Sequence, residues 1–273
     1  MRAKKEIKFN IKSHDKIASK YEKAHDEIFN DIEQDRIRSV LGQIIETVKS
    51  SGKNLKALDV GCGSGNLTRH LIDLGVYTVS ADVSESFLKL VEQRFSSTQL
   101  SESLKINGRN LANVGNCAFD IAAAYSVLHH VPDYFYLVKE MCRVLKRGGV
   151  IYLDHEANET YYKRPPEYVE FLKLAMPKGF VFKKYLRLLL SFSSYVHFIK
   201  KRINPRYKCE GDIHVWPNDH IEWDKIEQLL TSEGFEIVLK RNYLLYKNSY
   251  RKDIYERYKH RCSDMAMLIV RKK

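Results

Sequence analysis

A chain of 273 residues, 44% hydrophobic and 29% charged, has the balance of an ordinary globular protein. It is long enough for one large domain or for a core with a sizeable insertion. Its five scattered cysteines, none in a CxxC pair, argue against a disulfide framework and a structural zinc site, so a cytoplasmic location is expected.

The charged opening Met1–Asn10 has no apolar run behind it, and no stretch reaches about 18 uncharged apolar residues. Neither a secretory signal nor a membrane-spanning helix is expected. Ile17, Tyr21, Ile28, Ile32, Val40, Leu41, Ile44 and Ile45 recur at helical spacing and predict a helical arm over 14–50, ended by Ser51-Gly52. Short apolar strands then alternate with helical stretches. Strands are expected near 55–60, 76–82, 103–107, 119–125 and 149–154, with helices near 65–74, 84–96 and 134–146. That alternation favours a parallel sheet covered on both faces. After Asp154 the rhythm lapses for about 60 residues. It resumes with a helix at 221–233, a strand at 235–245 and a last strand at 265–270, the final pair expected as an antiparallel hairpin at the sheet edge. The expected organisation is an arm (1–50), a core (51–157), a basic helical cap (158–212) and the C-terminal part of the core sheet (213–273).

The strongest motif is Leu58-Asp-Val-Gly61-Cys-Gly63-Ser-Gly65-Asn-Leu-Thr68, in which an apolar strand runs into alternate glycines and then a helix. Glycines there let backbone turn tightly and approach a ligand with no Cβ in the way. Asp59, two residues before Gly61, can accept from a cationic amino group, which a pyrophosphate ligand lacks. Asp82 closes the next strand, where a carboxylate can take both ribose hydroxyls. These pieces alone fit a nicotinamide enzyme and a methyltransferase equally.

Two further stretches separate them: Phe119-Asp-Ile-Ala-Ala-Ala-Tyr125-Ser-Val-Leu-His129-His130-Val-Pro-Asp133, and Arg143-Val-Leu-Lys-Arg-Gly148-Gly149-Val-Ile-Tyr-Leu153. With the glycine turn and Asp82 they resemble the class I S-adenosylmethionine-dependent methyltransferases from about Leu55 to Asp154. Agreement is weaker in the arm (Ile17, Tyr21, Glu22) and in the last two strands. The resemblance implies a Rossmann-like α/β fold with a seven-stranded sheet whose last strand is antiparallel. It implies S-adenosyl-L-methionine over the carboxyl ends of strands one, two and four, cradled by Gly61, Gly63 and Gly65. Asp59 would steer its amino group and Asp82 its ribose, with Tyr125 at the end of strand four. Where the family often has an acid after strand three, this chain has Gly108-Arg-Asn110-Leu111, so Asn110, with Leu111 beside it, is placed at the adenine. Tyr21 resembles a tyrosine that closes over the cofactor in ubiquinone and menaquinone methyltransferases.

Methyl transfer is an in-line displacement that needs alignment, exclusion of water and sometimes a base. His129 and His130 follow the fourth strand, close to where the methyl should point, and histidine suits a base at neutral pH. They read equally as packed turn residues. His155, flanked by Asp154 and Glu156, follows strand five. His214, with Trp216, precedes a Pro-Asn-Asp turn as a loop residue at the mouth, whereas Trp223 is read as an anchor of the following helix. No metal site is expected.

The net charge of +12 is uneven, because Thr160–Glu210 holds twelve Lys and Arg against three Glu. Lys183-Lys184 and Lys200-Lys201-Arg202 bracket an apolar run, 185–199, of fifteen residues that is too short to span a bilayer but suits an interfacial helix. The bland reading is a cap helix packed on the domain. The expected acceptor is therefore an anionic small molecule, sugar or lipid-linked precursor, with possible peripheral membrane contact through 183–202. RNA methylation is a second reading, although no RNA-binding module is visible. A non-catalytic cofactor-binding or membrane-surface adaptor is a third, and a nicotinamide dehydrogenase a distant fourth.

Overall fold

A computed structural model describes residues 2–49, 54–176 and 192–273. Apolar side chains on both faces of successive strands build its centre. In β1 (Lys56–Val60), Leu58 and Val60 enter one core while Ala57 enters the other. In β4 (Phe119–Tyr125), Ala122 and Ala124 oppose Ile121 and Ala123, and in β5 (Leu145–Ala157), Ile151 and Leu153 oppose Val150 and Tyr152. Strands buried on both sides need helices over both faces.

The seven-stranded sheet runs β3 (Ser101–Lys105), β2 (Tyr77–Asp82), β1, β4, β5, β9 (Met265–Lys272), β8 (Phe235–Tyr243). β1 to β5 pair in parallel, and β9 is antiparallel to both its neighbours. The crossovers are α4 (Asn66–Asp73), α5 (Glu85–Arg94) and α6 (Tyr134–Val144). Ser84 caps α5 by accepting from the Phe87 N–H at 3.2 Å, and Asp133 caps α6 by accepting from Tyr136 at 3.0 Å. α10 (Trp223–Ser232) lies with α6, and Trp223 is buried there with Ile226 and Leu230. The Rossmann-like α/β fold, its seven strands and the antiparallel last strand are as the sequence predicts.

Three features differ from the sequence reading. The single helix over 14–50 is instead α1 (Arg2–Ile17), a 3₁₀ turn at Ala18–Lys20, a short α2 (Tyr21–Ala24) and α3 (Asp31–Lys49). Asn30 makes the break, accepting from the Glu33 N–H at 3.1 Å and donating to the Asp26 and Glu27 carbonyls, each at 3.0 Å. An Asx cap competes with continued helix in this way. Next, the last two strands pair antiparallel at the sheet edge as expected, but a helix rather than a short turn joins them. β9 inserts between β5 and β8, and their connection carries α11 (Lys252–Tyr258). Finally, the first part of the insertion, α7 (Glu159–Lys163) and α8 (Pro166–Ala175), does not cap the cleft. Tyr168, Phe171 and Ala175 pack with Leu244, just past the end of β8, and with Tyr250, Ile254, Tyr255 and Tyr258. Residues 177–191, which include Lys183, Lys184 and the start of the expected interfacial run, lie outside the described residues. α9 (Phe192–Ile203) covers the rest of that run, and β6 (Val215–Trp216) and β7 (Asp219–His220) form a small hairpin after it.

β5 holds one extra residue against β9, since Leu153 pairs with Leu268 but Glu156 with Ala266. His155 sits in this bulge with φ +62°. Just before it, Asp154 joins a buried polar network with α3. Arg36 donates to Asp154 Oδ2 at 2.8 Å, to Glu33 Oε2 at 2.9 Å and to the Tyr243 hydroxyl at 3.0 Å. Tyr152 donates to Asp154 Oδ2, and Tyr243 to its Oδ1 at 3.0 Å. Removing one partner of a buried ion pair costs about 3–5 kcal/mol. Arg36→Met is therefore expected to lower the thermal midpoint by roughly 10 °C in circular dichroism melts. A shift within experimental error would mean that water already satisfies the network.

Candidate active site

The loop after β1 is held by the Gly61 and Cys62 N–H groups, which donate to the Ala81 carbonyl at 2.7 and 3.1 Å. Its glycines answer different constraints. Gly61 has φ +70°, and a Cβ there would lie 2.5 Å from Val127 Cγ2. Gly65 has φ +87° at the head of α4, where a Cβ would meet Phe95 at 2.9 Å. A Cβ on Gly63 would meet no protein atom within 4 Å, because the space beside it is a cavity. Gly61 and Gly63 line that cavity, while Gly65 turns and packs the helix without reaching its wall.

Asp59 and Asp82 end adjacent strands on the same wall. Asp59 Oδ2 accepts from the Thr68 N–H at 3.0 Å and from its hydroxyl at 2.7 Å. Burial pushes the Asp59 carboxyl up to about 7 in spite of those bonds. Asp82 accepts from the Ser84 N–H at 2.7 Å and the Gly63 N–H at 2.9 Å, and burial raises its carboxyl as well. Among the described residues neither carboxylate has a lysine or arginine ion-pair partner. A ligand carrying an ammonium and hydroxyl groups would supply what they lack.

The arm covers the cavity. Ile7, Asn10 and His14 of α1, Tyr21 of α2 and Phe29 line it. Asp15 Oδ1 receives the Ser84 hydroxyl at 2.5 Å, and Arg94 donates to Glu22 at 2.6 Å and to the Ser64 carbonyl at 2.8 Å. Tyr21 stacks with His25 at 4.2 Å between ring centroids and meets Phe87 edge-on at 5.3 Å. His14 stands edge-on to His130 at 4.9 Å, with its Nδ1 2.6 Å from Asn10 Oδ1.

The other expected residues separate by place. Asn110 and Tyr125 line the cavity. Leu111 does not: it is fully buried, and its N–H donates to Glu140 at 3.0 Å. Of the four histidines considered for chemistry only His130 lies on the wall. His129 Nδ1 is 2.7 Å from Glu156 Oε2, and Glu156 Oε1 also accepts from the Val127 and Leu128 N–H groups at 2.9 and 2.7 Å. Burial opposes charge on His129, but Glu156 prevails and raises it to about 9. Burial and the neighbouring imidazoles hold His130 well below the ordinary value. His155 is buried against Tyr125, its Nδ1 2.8 Å from the hydroxyl, and with Asp154 it belongs to the network beneath the site. His214 has both nitrogens engaged, by Asp219 at 2.5 Å and the Val131 carbonyl at 3.2 Å, outside the cavity. The residues missed in the sequence are Ile7, Asn10 and His14. With Ile17 they recur at helical intervals, but two of the four are polar, so hydrophobic periodicity passes over them.

Residues 58–153 match the family model described as methyltransferase domain. The chain is 29% identical over 152 residues to a ubiquinone biosynthesis O-methyltransferase of Pseudomonas fluorescens, covering 53% of this chain and 62% of that protein. It is 34% identical over 100 residues to its counterpart from Methylococcus capsulatus, covering 36% and 42%. The chain thus spans about half the length of the curated relatives it matches. In fold it is similar to an S-adenosylmethionine-dependent methyltransferase from Mesorhizobium loti, with TM-score 0.53 and 16% identity over 83% of this chain and 96% of that one. Residues 58–153 are therefore a methyltransferase domain. Its cofactor is S-adenosyl-L-methionine. Two buried carboxylates without cationic partners and the open space at Gly63 fit that molecule.

Burial holds His14 down at about 4 against an ordinary 6.5. A depressed imidazole stabilises the fold above about 6.5 and loses that contribution as pH falls toward 4, a term of roughly 3 kcal/mol. His14→Gln should therefore flatten the fall of the thermal midpoint between pH 6.5 and 4. Parallel profiles for the two proteins would place the His14 ring in solvent.

Proposed function

We propose that this methyltransferase transfers the methyl group of S-adenosyl-L-methionine to a small-molecule, sugar or lipid-linked acceptor bound where His14 and His130 close the cavity. The observation that carries the reading is the pair of buried carboxylates, Asp59 and Asp82, flanking the open wall at Gly63. Asp82 would take the ribose hydroxyls, Asp59 would lie toward the ammonium and Asn110 toward the adenine. Bound S-adenosyl-L-methionine supplies a methyl group on a positively charged sulfur. The arm excludes water from that group with Ile7, Tyr21 and Phe29. His130 and His14, neutral because they are buried, can accept a proton from a hydroxyl acceptor, whereas His129 is held protonated by Glu156 and cannot. An oxygen acceptor is further supported by the relatives, which are named as O-methyltransferases. A ligand at 100 times its Kd stabilises a fold by about 2.7 kcal/mol. S-adenosylmethionine and S-adenosylhomocysteine should each raise the thermal midpoint by several degrees, NAD should not, and Asp82→Ala should abolish the shift. No shift with either adenosyl compound would overturn the reading and leave a non-catalytic surface protein.

A second observation favours an acceptor met at an anionic lipid surface. In α9, Phe198, Ile199 and Ile203 are 65%, 57% and 81% exposed, and Ile199 and Ile203 stand one turn apart on the same face. Lys200, Lys201 and Arg202 form the last turn, followed by Arg206 and Lys208. Apolar groups beside clustered cations suit the boundary between head groups and acyl chains. No helix among the described residues is long and apolar enough to cross a membrane. From α9 the chain runs to Gly211, which packs on Asn10, and to Ile213 and His214, whose N–H groups donate to the His129 carbonyl at 2.8 and 3.1 Å. The helix therefore leads straight to the covered cavity. Vesicles containing phosphatidylglycerol should float the wild-type chain, and the Ile199→Glu/Ile203→Glu variant should stay behind. Equal recovery of both proteins, or flotation with neutral vesicles alone, would dismiss this surface.

A further inference from the structure

The turn after β4 and the end of the cap bring His129, His130 and Asp212 together, although Asp212 is some eighty residues further along the chain. One ligating atom from each lies within 4.8 Å of the other two. His130 Nδ1 is buried without a hydrogen-bond partner, 3.7 Å from Asp212 Oδ1. Glu156 engages His129 at Nδ1, which orients the ring and leaves Nε2 as the ligating nitrogen, whose proton an incoming metal ion displaces. A carboxylate behind a histidine is the usual outer support of a metal-binding imidazole. The side chains of His129 and His130 are each 16% exposed and that of Asp212 is 26% exposed, so an ion has a route in.

We infer that His129, His130 and Asp212 form a binding site for a divalent first-row transition-metal ion at the rim of the cavity. Two imidazoles and one carboxylate suit zinc, cobalt or iron rather than magnesium, which prefers oxygen ligands throughout. Tetrahedral bonds of about 2.0–2.1 Å put ligand atoms about 3.4 Å apart, so closure needs a shift of about 1 Å. The Asp212 carboxylate, 26% exposed, can supply it by side-chain rotation. Three protein ligands leave at least one coordination position open. His130 lies on the cavity wall, so an oxygen-bearing molecule in the cavity can reach that position, and with the His130 lone pair on the metal it is His14 that is left to take a proton. This last consequence rests on the methyl-transfer reading, but the metal site itself does not.

The test is calorimetric and spectroscopic titration of the untagged full chain with Co(II) and Zn(II), without cofactor, beside the Asp212→Asn and His129→Gln/His130→Gln variants. Circular dichroism melts of each variant report whether it is folded. The expected result is one saturable equivalent with visible Co(II) absorption, at least about tenfold weaker in Asp212→Asn and lost in the double variant. Absence of a saturable equivalent in the wild-type chain, or variants that bind as well as wild type, would overturn the site. Neither outcome depends on S-adenosylmethionine binding, which the thermal-shift measurement decides separately.

Discussion

A largely buried guanidinium, 17% exposed, organises this protein. Arg36 can leave water only because Glu33, Asp154 and the Tyr243 hydroxyl surround it, and its plane also lies 3.9 Å from the Tyr243 ring centroid. Those partners come from α3, β5 and β8, so one charge fastens the arm's long helix to the sheet. Glu33 extends the tie to β4, where Tyr125 donates to its Oε1 at 2.7 Å. Tyr125 also lines the cavity. The height and rotation of α3 are thereby transmitted to the site wall through a chain of directional bonds, for which apolar packing has no equivalent.

Above that foundation, distant segments close the cavity by another kind of contact. His25 lies between Glu27 at 2.9 Å and Glu210 at 3.2 Å, linking the arm to the end of the insertion. Burial opposes its charge, yet the two carboxylates raise it to about 9. Phe9 meets Tyr207 edge-on at 5.9 Å, adding an aromatic contact across the same seam. Ion pairs and ring edges hold this cover, whereas the sheet is held by continuous apolar layers. Regions of that sort open at lower free energy than the core, and a cavity that must take in and release ligands needs such a cover.

Most of the sheet was legible because strands buried on both faces write an uninterrupted apolar signature, and because Gly61, Gly63, Gly65 and Asp82 follow strand ends at fixed distances. The break at Asn30 was not legible: one side chain caps a helix inside a run whose apolar spacing continues past it. The insertion misled for a related reason. Tyr168 and Phe171 of α8 pair with Tyr250, Tyr255 and Tyr258, which lie about eighty residues later, and no local pattern announces such a partner. Local sequence also could not divide the histidines. His129 and His130 are neighbours, yet one is set against Glu156 and the other against His14, so only tertiary structure makes one charged and the other neutral. The glycines carried a subtler ambiguity, since the same residue type serves a close contact at Gly61 and a helix turn at Gly65 but faces open space at Gly63.

The bulge in β5 lets three consecutive residues serve three different places. Asp154 reaches α3, His155 reaches Tyr125, and Glu156 gathers the turn that carries His129. In a regular strand neighbouring side chains alternate between two faces, so a third direction requires the extra residue. That short stretch works as a junction box, and its wiring depends on count as well as on chemistry. Losing one residue there would restore perfect pleating and disconnect foundation, wall and turn together. Length is therefore most strictly constrained where the sheet is least regular.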